Sequence, residues 1–318
     1  TAKCECRPYN NRQFYPVEYL KRLFNIRHKT GLRHIEADFN HRLFEQVAVS
    51  CRKARVRRLG IDERYLTVYQ QKRLKAFFNK NISIICANEC VDALRVVKEP
   101  GELELIRKAL RLNLKAYDAI RPLIKPGVAE EDILARLQEF IRREGIKFAF
   151  DPIIASGPHS AYPHARVTGR KLCRKEPVLI DLGMDYKGYK SDLTRMFFLD
   201  RMPASFRDVL SVVRDAQHAA FQVIRPGVAA RDVDAAARGY LKEHGLAAYF
   251  THSLGHGVGM EVHEAPRLSV SSEAVLEENM VCTVEPGVYF PGRYGIRLEE
   301  MVLVTHKGCE VLSGDHDQ

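Results

Sequence analysis

No run among the 318 residues approaches eighteen consecutive apolar positions, so the sequence offers no membrane-spanning helix. No basic-then-apolar leader precedes Cys4, which argues against a secretory signal, although the sequence starts at Thr1 and a removed leader stays open. Paired C-x-x-C clusters are also missing. The eight cysteines (Cys4, Cys6, Cys51, Cys86, Cys90, Cys173, Cys282 and Cys309) are scattered, which excludes zinc-ribbon spacing and the density of a disulfide scaffold. Reduced thiols and a cytoplasmic location are therefore expected. Cys4-x-Cys6 is the one suggestive pair, but two thiolates do not complete a tetrahedral metal site. Nor does any basic stretch interleave with aromatics in the manner of single-strand nucleic-acid binders.

What is present is an ordinary globular composition, 46% hydrophobic and 28% charged, on a chain long enough for two domains. The net charge of +10 is uneven: residues 1–100 hold 21 Lys+Arg against 10 Asp+Glu, and the remainder holds 29 against 30. The densest basic run, Arg52, Lys53, Arg55, Arg57 and Arg58, reads as a solvated face, and no nucleic-acid partner is expected.

Glu99-Pro100-Gly101 is the first clear punctuation, and behind it Leu103, Ile106, Leu110, Leu114 and Tyr117 recur at helical spacing over 102–120. The boundary is placed there: a small basic α/β domain over 1–98 and an α+β domain over 99–318. In the front domain, residues 69–78 read as a helix, and 81–87 and 91–97 read as short strands. The second domain repeats itself at an offset of one hundred residues. Ile124-Lys-Pro-Gly-Val-Ala129 matches Ile224-Arg-Pro-Gly-Val-Ala229, Asp132 matches Asp232, Gly145 matches Gly245 and Phe150 matches Phe250. Each copy reads as helix, Pro-Gly turn, second helix stopped by Gly, then extended chain. Two such halves facing across a pseudo-twofold axis leave a cleft as a natural site.

The chemistry sits in the extended segments. With Tyr186 and Lys187 as a two-residue turn, Asp181 and Asp192 stand directly opposite each other in a hairpin. With Pro291-Gly292-Arg293 as a three-residue turn, Glu285 and Glu299 do the same. One such pair could be a shared-proton dyad or a coincidence of register. Two pairs with a histidine cluster between them make an oxygen-rich ligand set suited to two divalent ions. The imidazole is expected from His252, His256 or His263, and the glycines beside His256 suggest close approach of backbone and substrate.

At these residues the sequence resembles the pita-bread metallopeptidases, the family of methionine aminopeptidase, aminopeptidase P and prolidase, over roughly residues 90–312. The resemblance implies a duplicated α+β pita-bread catalytic domain behind a short α/β N-terminal domain. It implies metal ligands at Asp181 (Ile-Asp-Leu-Gly), Asp192 (Ser-Asp-Leu-Thr-Arg), His256 (Gly-His-Gly-Val-Gly), Glu285 (Glu-Pro-Gly) and Glu299 (Ile-Arg-Leu-Glu-Glu). It also implies a substrate-side His164, and His252 and His263 at the scissile carbonyl. His159 stands where the family often has Asn, and Glu300 where it often has Asp. Glu285-Pro-Gly-Val-Tyr and Gly-Ile-Arg297-Leu-Glu are similar to the proline-directed branch. The aromatic-Leu-Thr-Gly stretch common in that branch's front domain is absent.

The resemblance thus implies an Xaa-Pro exopeptidase, dipeptidase or aminopeptidase P, that uses two divalent ions. Mn²⁺ is expected first, with Co²⁺, Fe²⁺ and Zn²⁺ as alternatives, and the homodimer and cytoplasmic location of relatives are implied with it. Asp192 and Glu299 would bridge the ions around a shared hydroxide, Glu285 would relay its proton, and Arg195 and Arg297 would orient the carboxylates. Tyr162 and Tyr289 are expected near the rim around His164. The competing readings are a methionine aminopeptidase-like enzyme, a creatinase-like enzyme, which would lack the five ligands, and a non-hydrolytic binding scaffold.

Overall fold

The computed structural model describes residues 43–78 and 82–314, so Cys4-x-Cys6 and much of the basic front stretch lie outside it. The chain divides at Leu94/Arg95 into two compact units. In the first, helix α1 (Leu43–Lys53) precedes strand β1 (Arg58–Ile61), helix α2 (Val68–Ala76) and strand β2 (Ser83–Cys86). The strands pair in parallel, Arg58 with Ser83 through Ile61 with Cys86. Helix α2 starts where Thr67 accepts from the Gln70 N–H at 3.2 Å while the Gln70 side chain accepts from the Thr67 N–H at 2.9 Å. The expected helix over 69–78 and strand over 81–87 are thus present. The expected strand over 91–97 is instead a helix, α3 (Asn88–Val96). A short apolar run does not separate the two states by itself. Here the polar positions Asn88, Asp92 and Arg95 fall at helical spacing, and Asp92 pairs with Arg64 at 2.6 Å. Cys51, Cys86, Cys173, Cys282 and Cys309 are unpaired, and among the described residues no helix is long and apolar enough to cross a membrane.

The second unit consists of the two repeats. The first runs through α4 (Pro100–Ile120), α5 (Glu130–Glu144), β3 (Lys147–Phe148), β4 (Ile153–Ser156), β5 (Pro177–Leu182), β6 (Met184–Tyr186), β7 (Tyr189–Lys190) and β8 (Leu193–Phe198). The second runs through α6 (Ala204–Val223), α7 (Ala230–Glu243), β9 (Gly255–Gly257), β10 (Glu264–Leu268), β11 (Val281–Val284), β12 (Gly287–Phe290), β13 (Tyr294–Arg297), β14 (Glu300–Thr305) and β15 (Gly308–Val311). The duplication extends to single hydrogen bonds. Gly127 N–H donates to Leu172 O and Gly227 N–H to Leu276 O, both at 2.8 Å, and the return bonds Leu172 to Val128 O and Leu276 to Val228 O are also 2.8 Å. Gly145 and Gly245 end α5 and its counterpart α7 with φ of 65° and 72°, a conformation that favours glycine.

The repeats centre on two cores, and Val258, Val281, Met301 and Leu303 of the second repeat join the first core. Ile106, Leu110, Ile133, Leu137, Ile180 and Leu193 anchor the first. Val213, Val233, Leu241, Val284, Ile296 and Val302 anchor the second. The described strands of the first repeat form a β4-β5-β8 sheet and a β3-β6-β7 ribbon, and those of the second form a β10-β9-β11-β14-β15 sheet and the β12-β13 hairpin. Helix α4 packs its apolar stripe inward and sends the Tyr117 hydroxyl to the Ile180 and Leu193 carbonyls, both at 2.8 Å. One hundred residues on, the Gln217 amide on α6 reaches the Val284 and Leu298 carbonyls at 2.9 and 3.1 Å. Both side chains hold backbone carbonyls beside the carboxylates, a role the sequence does not mark: Tyr117 reads there only as part of the apolar stripe.

Candidate metal centre

The first hairpin differs from its expected register. Its turn is Lys187-Gly188, with φ of 53° and 89°, and it pairs Tyr186 with Tyr189 and, further on, Asp181 with Thr194. A two-residue turn with two positive φ angles takes glycine at its second position far more readily than it takes Tyr-Lys. The slip is two residues, which preserves the face, so Asp181 and Asp192 remain on one side as diagonal neighbours rather than an opposed pair. Thr194 takes the place opposite Asp181.

The second hairpin has the expected register. Val284 pairs with Glu300 and Gly287 with Arg297, which sets Glu285 opposite Glu299 between them. His256 comes from β9, wedged between two strands. A Cβ at Gly255 would lie 2.0 Å from the Thr283 carbonyl, and one at Gly257 2.0 Å from the Ala265 carbonyl. The close approach inferred from these glycines is therefore made by neighbouring backbone.

These elements bring together the four carboxylates and one imidazole. Asp192, His256 and Glu299 each place a ligand atom within 4.8 Å of the others. His256 Nε2 lies 3.2 Å from Glu285 Oε1 and 3.6 Å from Asp192 Oδ2. Arg297 crosses from the second repeat to donate to Asp181 Oδ2 at 2.5 Å, and its Nε donates to Thr194 Oγ1 at 3.0 Å. Thr194 in turn donates to Glu299 Oε2 at 2.7 Å. The Thr283 hydroxyl donates to Glu285 Oε1 at 3.2 Å. Arg195 pairs with Glu300 at 2.8 Å and donates to the Glu299 carbonyl at 2.9 Å. Thr194 and Thr283, which the sequence reading passed over, thus hold the carboxylates directly.

The electrostatics are those of an anionic site short of positive charge. Burial, then repulsion from Glu299 and Asp181, pushes Asp192 well above the usual aspartate range. Burial, then Glu285 and Asp181, does the same to Glu299. Asp181 is raised by burial against the pull of Arg297. Burial works in the same direction on Glu285, but the hydrogen bond and charge of His256 hold it down to about 2. Asp181 Oδ1 is buried without a hydrogen-bond partner. A buried oxygen with no donor and carboxylates that repel one another fit divalent cations, and the donor set suits Mn²⁺, Co²⁺ or Fe²⁺.

The remaining predicted residues surround this centre. The His263 ring sits 4.2 Å from that of His256 on an exposed side chain, and the surrounding protein, followed by the His256 charge, holds it down to about 4. His252 has both ring nitrogens engaged, Nδ1 with the Ser253 carbonyl at 2.8 Å and Nε2 with the Tyr289 hydroxyl at 2.9 Å. Burial lowers its pKa. Tyr289 is buried and also accepts from Arg297 at 2.9 Å, so it belongs to the floor rather than the rim. His164 and Tyr162 are exposed. Their segment is fixed from below by Glu130, which accepts from both the N–H and the hydroxyl of Ser156 and of Thr168 and faces His159 at 3.1 Å.

Residues 104–306 match the model of metallopeptidase family M24. An Xaa-Pro dipeptidase of Pyrococcus furiosus is 40% identical over 227 residues, 71% of this chain. The match spans 65% of that relative's length, just under two thirds. An Xaa-Pro dipeptidase structure from Bacillus anthracis superposes with a TM-score of 0.85 at 32% identity, covering 93% of this chain and 83% of the other. An X-Pro aminopeptidase structure from Thermotoga maritima gives 0.81 at 33% identity, covering 90% and 80%.

Proposed function

We propose, for a chain that belongs to metallopeptidase family M24 and has its pita-bread fold, that it hydrolyses the bond preceding proline in dipeptides or short peptides, with two divalent cations as cofactor. The observation that carries the reading is the meeting of Asp181, Asp192, His256, Glu285 and Glu299 from both repeats around carboxylates that lack balancing charge. The proline preference rests on similarity to relatives named as Xaa-Pro peptidases.

Asp181, Asp192, His256, Glu285 and Glu299 would hold the cations. When bound, such ions supply Lewis acidity and lower the pKa of water toward neutrality. Glu285, whose Oε1 faces His256 at 3.2 Å and accepts from the Thr283 hydroxyl at 3.2 Å, is the carboxylate placed to accept a proton from the attacking water. Arg297 fixes Asp181 and, through Thr194, Glu299, so one guanidinium orients a carboxylate from each repeat. His263 extends past His256 with a neutral ring and donates to the substrate carbonyl as it becomes tetrahedral. His252 does so once its Nε2 exchanges the Tyr289 hydroxyl for substrate. His164 and Tyr162 form the exposed rim that meets the peptide.

The test is kcat/KM for Met-Pro, Met-Ala and Met-Ala-Ser under one Mn²⁺ condition. Met-Pro is expected to be the best substrate, with Met-Ala nearly inert. If Met-Ala-Ser is best, a methionine aminopeptidase-like activity replaces this reading.

A further inference from the structure

Just beyond the division of the chain lies a buried charged cluster that no part of the metal centre uses. Arg95 and Lys98 are 6% and 2% exposed, and both close on Glu264, with Arg95 Nη2 at 2.6 Å from Oε2 and Lys98 Nζ at 2.6 Å from Oε1. Glu261, 7% exposed, lies 3.6 Å from Arg95 Nη1, and its N–H donates to Glu264 Oε2 at 3.3 Å. Lys98 is itself pinned, because its N–H donates to the Asn279 carbonyl at 2.9 Å and its Nζ to the Val96 carbonyl at 3.0 Å.

Arg95 and Lys98 hold Glu264 by both carboxylate oxygens, which fixes its side chain. The neighbour of that carboxylate is His263. His263 lies in the bend that leads into β10, one peptide bond from Glu264, so fixing Glu264 fixes the backbone from which the His263 side chain departs. Glu264 opens β10 and pairs with Gly257, the residue after His256. The same anchor therefore sets the distance between the backbone that carries His263 and the backbone that carries His256.

We infer that Glu264, clamped by Arg95 and Lys98, is a positioning residue that aims His263 into the metal centre. The clamp spans 166 residues of chain between Lys98 and Glu264, so the segment following α3 takes part in the geometry of the site. The inference rests on the carbonyl-side role of His263 proposed above.

The test is a kinetic double-mutant cycle on the full chain loaded with Mn²⁺, with Met-Pro as substrate. Lys98→Met and His263→Ala are made singly and together, with Glu264→Gln as a second clamp variant and Lys98→Arg as the conservative rescue. His263→Ala should lower kcat about 100- to 1,000-fold. Lys98→Met should lower kcat about 10- to 100-fold, with KM within about twofold, because misplacement of an oriented group acts on the transition state. Lys98→Arg should recover most of the loss. In the His263→Ala background Lys98→Met should cost almost nothing further. In histidine-ring NMR spectra Lys98→Met should move the His263 signal, identified by its loss in His263→Ala, and leave those of His218 and His306 in place. If Lys98→Met does not fold, Glu264→Gln, which keeps the side-chain shape, takes its place in the cycle. An equal loss from the clamp variant with and without His263 overturns the inference and leaves the reading of His263 standing. Normal kcat in His263→Ala overturns that reading and the inference with it.

Discussion

Gln217 and Tyr117 hold the same place in the two repeats but carry different donors, and the difference sets the size of the response to their removal. The Gln217 side chain is buried and offers two N–H groups, one for the Val284 carbonyl at 2.9 Å and one for that of Leu298 at 3.1 Å. The Tyr117 hydroxyl has one hydrogen to share between the Ile180 and Leu193 carbonyls, both at 2.8 Å. Gln217→Leu removes two bonds at similar volume. Each buried polar group left without its partner costs about 1–3 kcal/mol, and the gain from burying an apolar side chain offsets part of this, leaving a net loss of roughly 2–4 kcal/mol. Tyr117→Phe removes one full bond and should cost about 0.5–1.5 kcal/mol. Val284 and Leu298 directly precede Glu285 and Glu299, so Gln217→Leu should also weaken Mn²⁺ binding. Urea unfolding with a chelator present measures the first effect, and calorimetric titration with Mn²⁺ the second. The reasoning fails if Tyr117→Phe costs as much as Gln217→Leu, or if Gln217→Leu leaves both stability and Mn²⁺ affinity unchanged.

Further outcomes follow from the other buried groups. Burial raises the Glu264 pKa, but Lys98 and Arg95 bring it below the ordinary glutamate value of 4.5. A depressed carboxylate contributes stability that is complete above the unfolded value and is lost as pH falls through the folded one. The stability difference between the wild type and Glu264→Gln should therefore be flat above about pH 5 and shrink below it, and urea unfolding across pH 3–7 would contradict this if the difference grew on acidification. Glu130→Gln puts amide hydrogens against the Ser156 or Thr168 donors. It should raise KM for Met-Pro more than it lowers kcat, since it loosens the segment carrying Tyr162 and His164. The reverse split would place Glu130 nearer the chemistry. Arg297→Lys cannot serve Asp181, Thr194, Tyr289 and the Pro163 carbonyl at once. It should lower Mn²⁺ affinity about 10- to 100-fold, as loss of a partner to a metal ligand does, and unaltered affinity would remove Arg297 from the site.

The parts of the molecule legible in the sequence were those fixed by local chemistry. Pro126-Gly127 and Pro226-Gly227 force the same turn twice, and Pro291-Gly292-Arg293 sets a register that carries through to Glu285 and Glu299. In the first hairpin a turn at Tyr186-Lys187 gives a register two residues away from the observed one, because Gly188 supplies the positive φ that such a turn requires. Over 88–96 the short run of Val, Ala and Leu reads as a strand and hides the helical spacing of Asn88, Asp92 and Arg95. The clamping roles of Thr194, Tyr117 and Gln217 are not visible in any one stretch of sequence, since a hydroxyl or an amide becomes a clamp only once the carbonyl or carboxylate opposite it is known. Comparing position 117 with 217 in the repeat would have singled out two polar residues on otherwise apolar helix faces. Lys98 and Glu264 are ordinary surface residue types whose burial depends on contacts far apart in sequence.

The central claim is that the two hairpins and His256 form a site for two divalent ions. Elemental analysis of protein reloaded with Mn²⁺ and dialysed free of excess tests it without any assumption about substrate. Two ions per chain are expected in the wild type, with a clear loss in Asp192→Ala, which removes one carboxylate of the proposed site. Tight binding that Asp192→Ala leaves unchanged would contradict it.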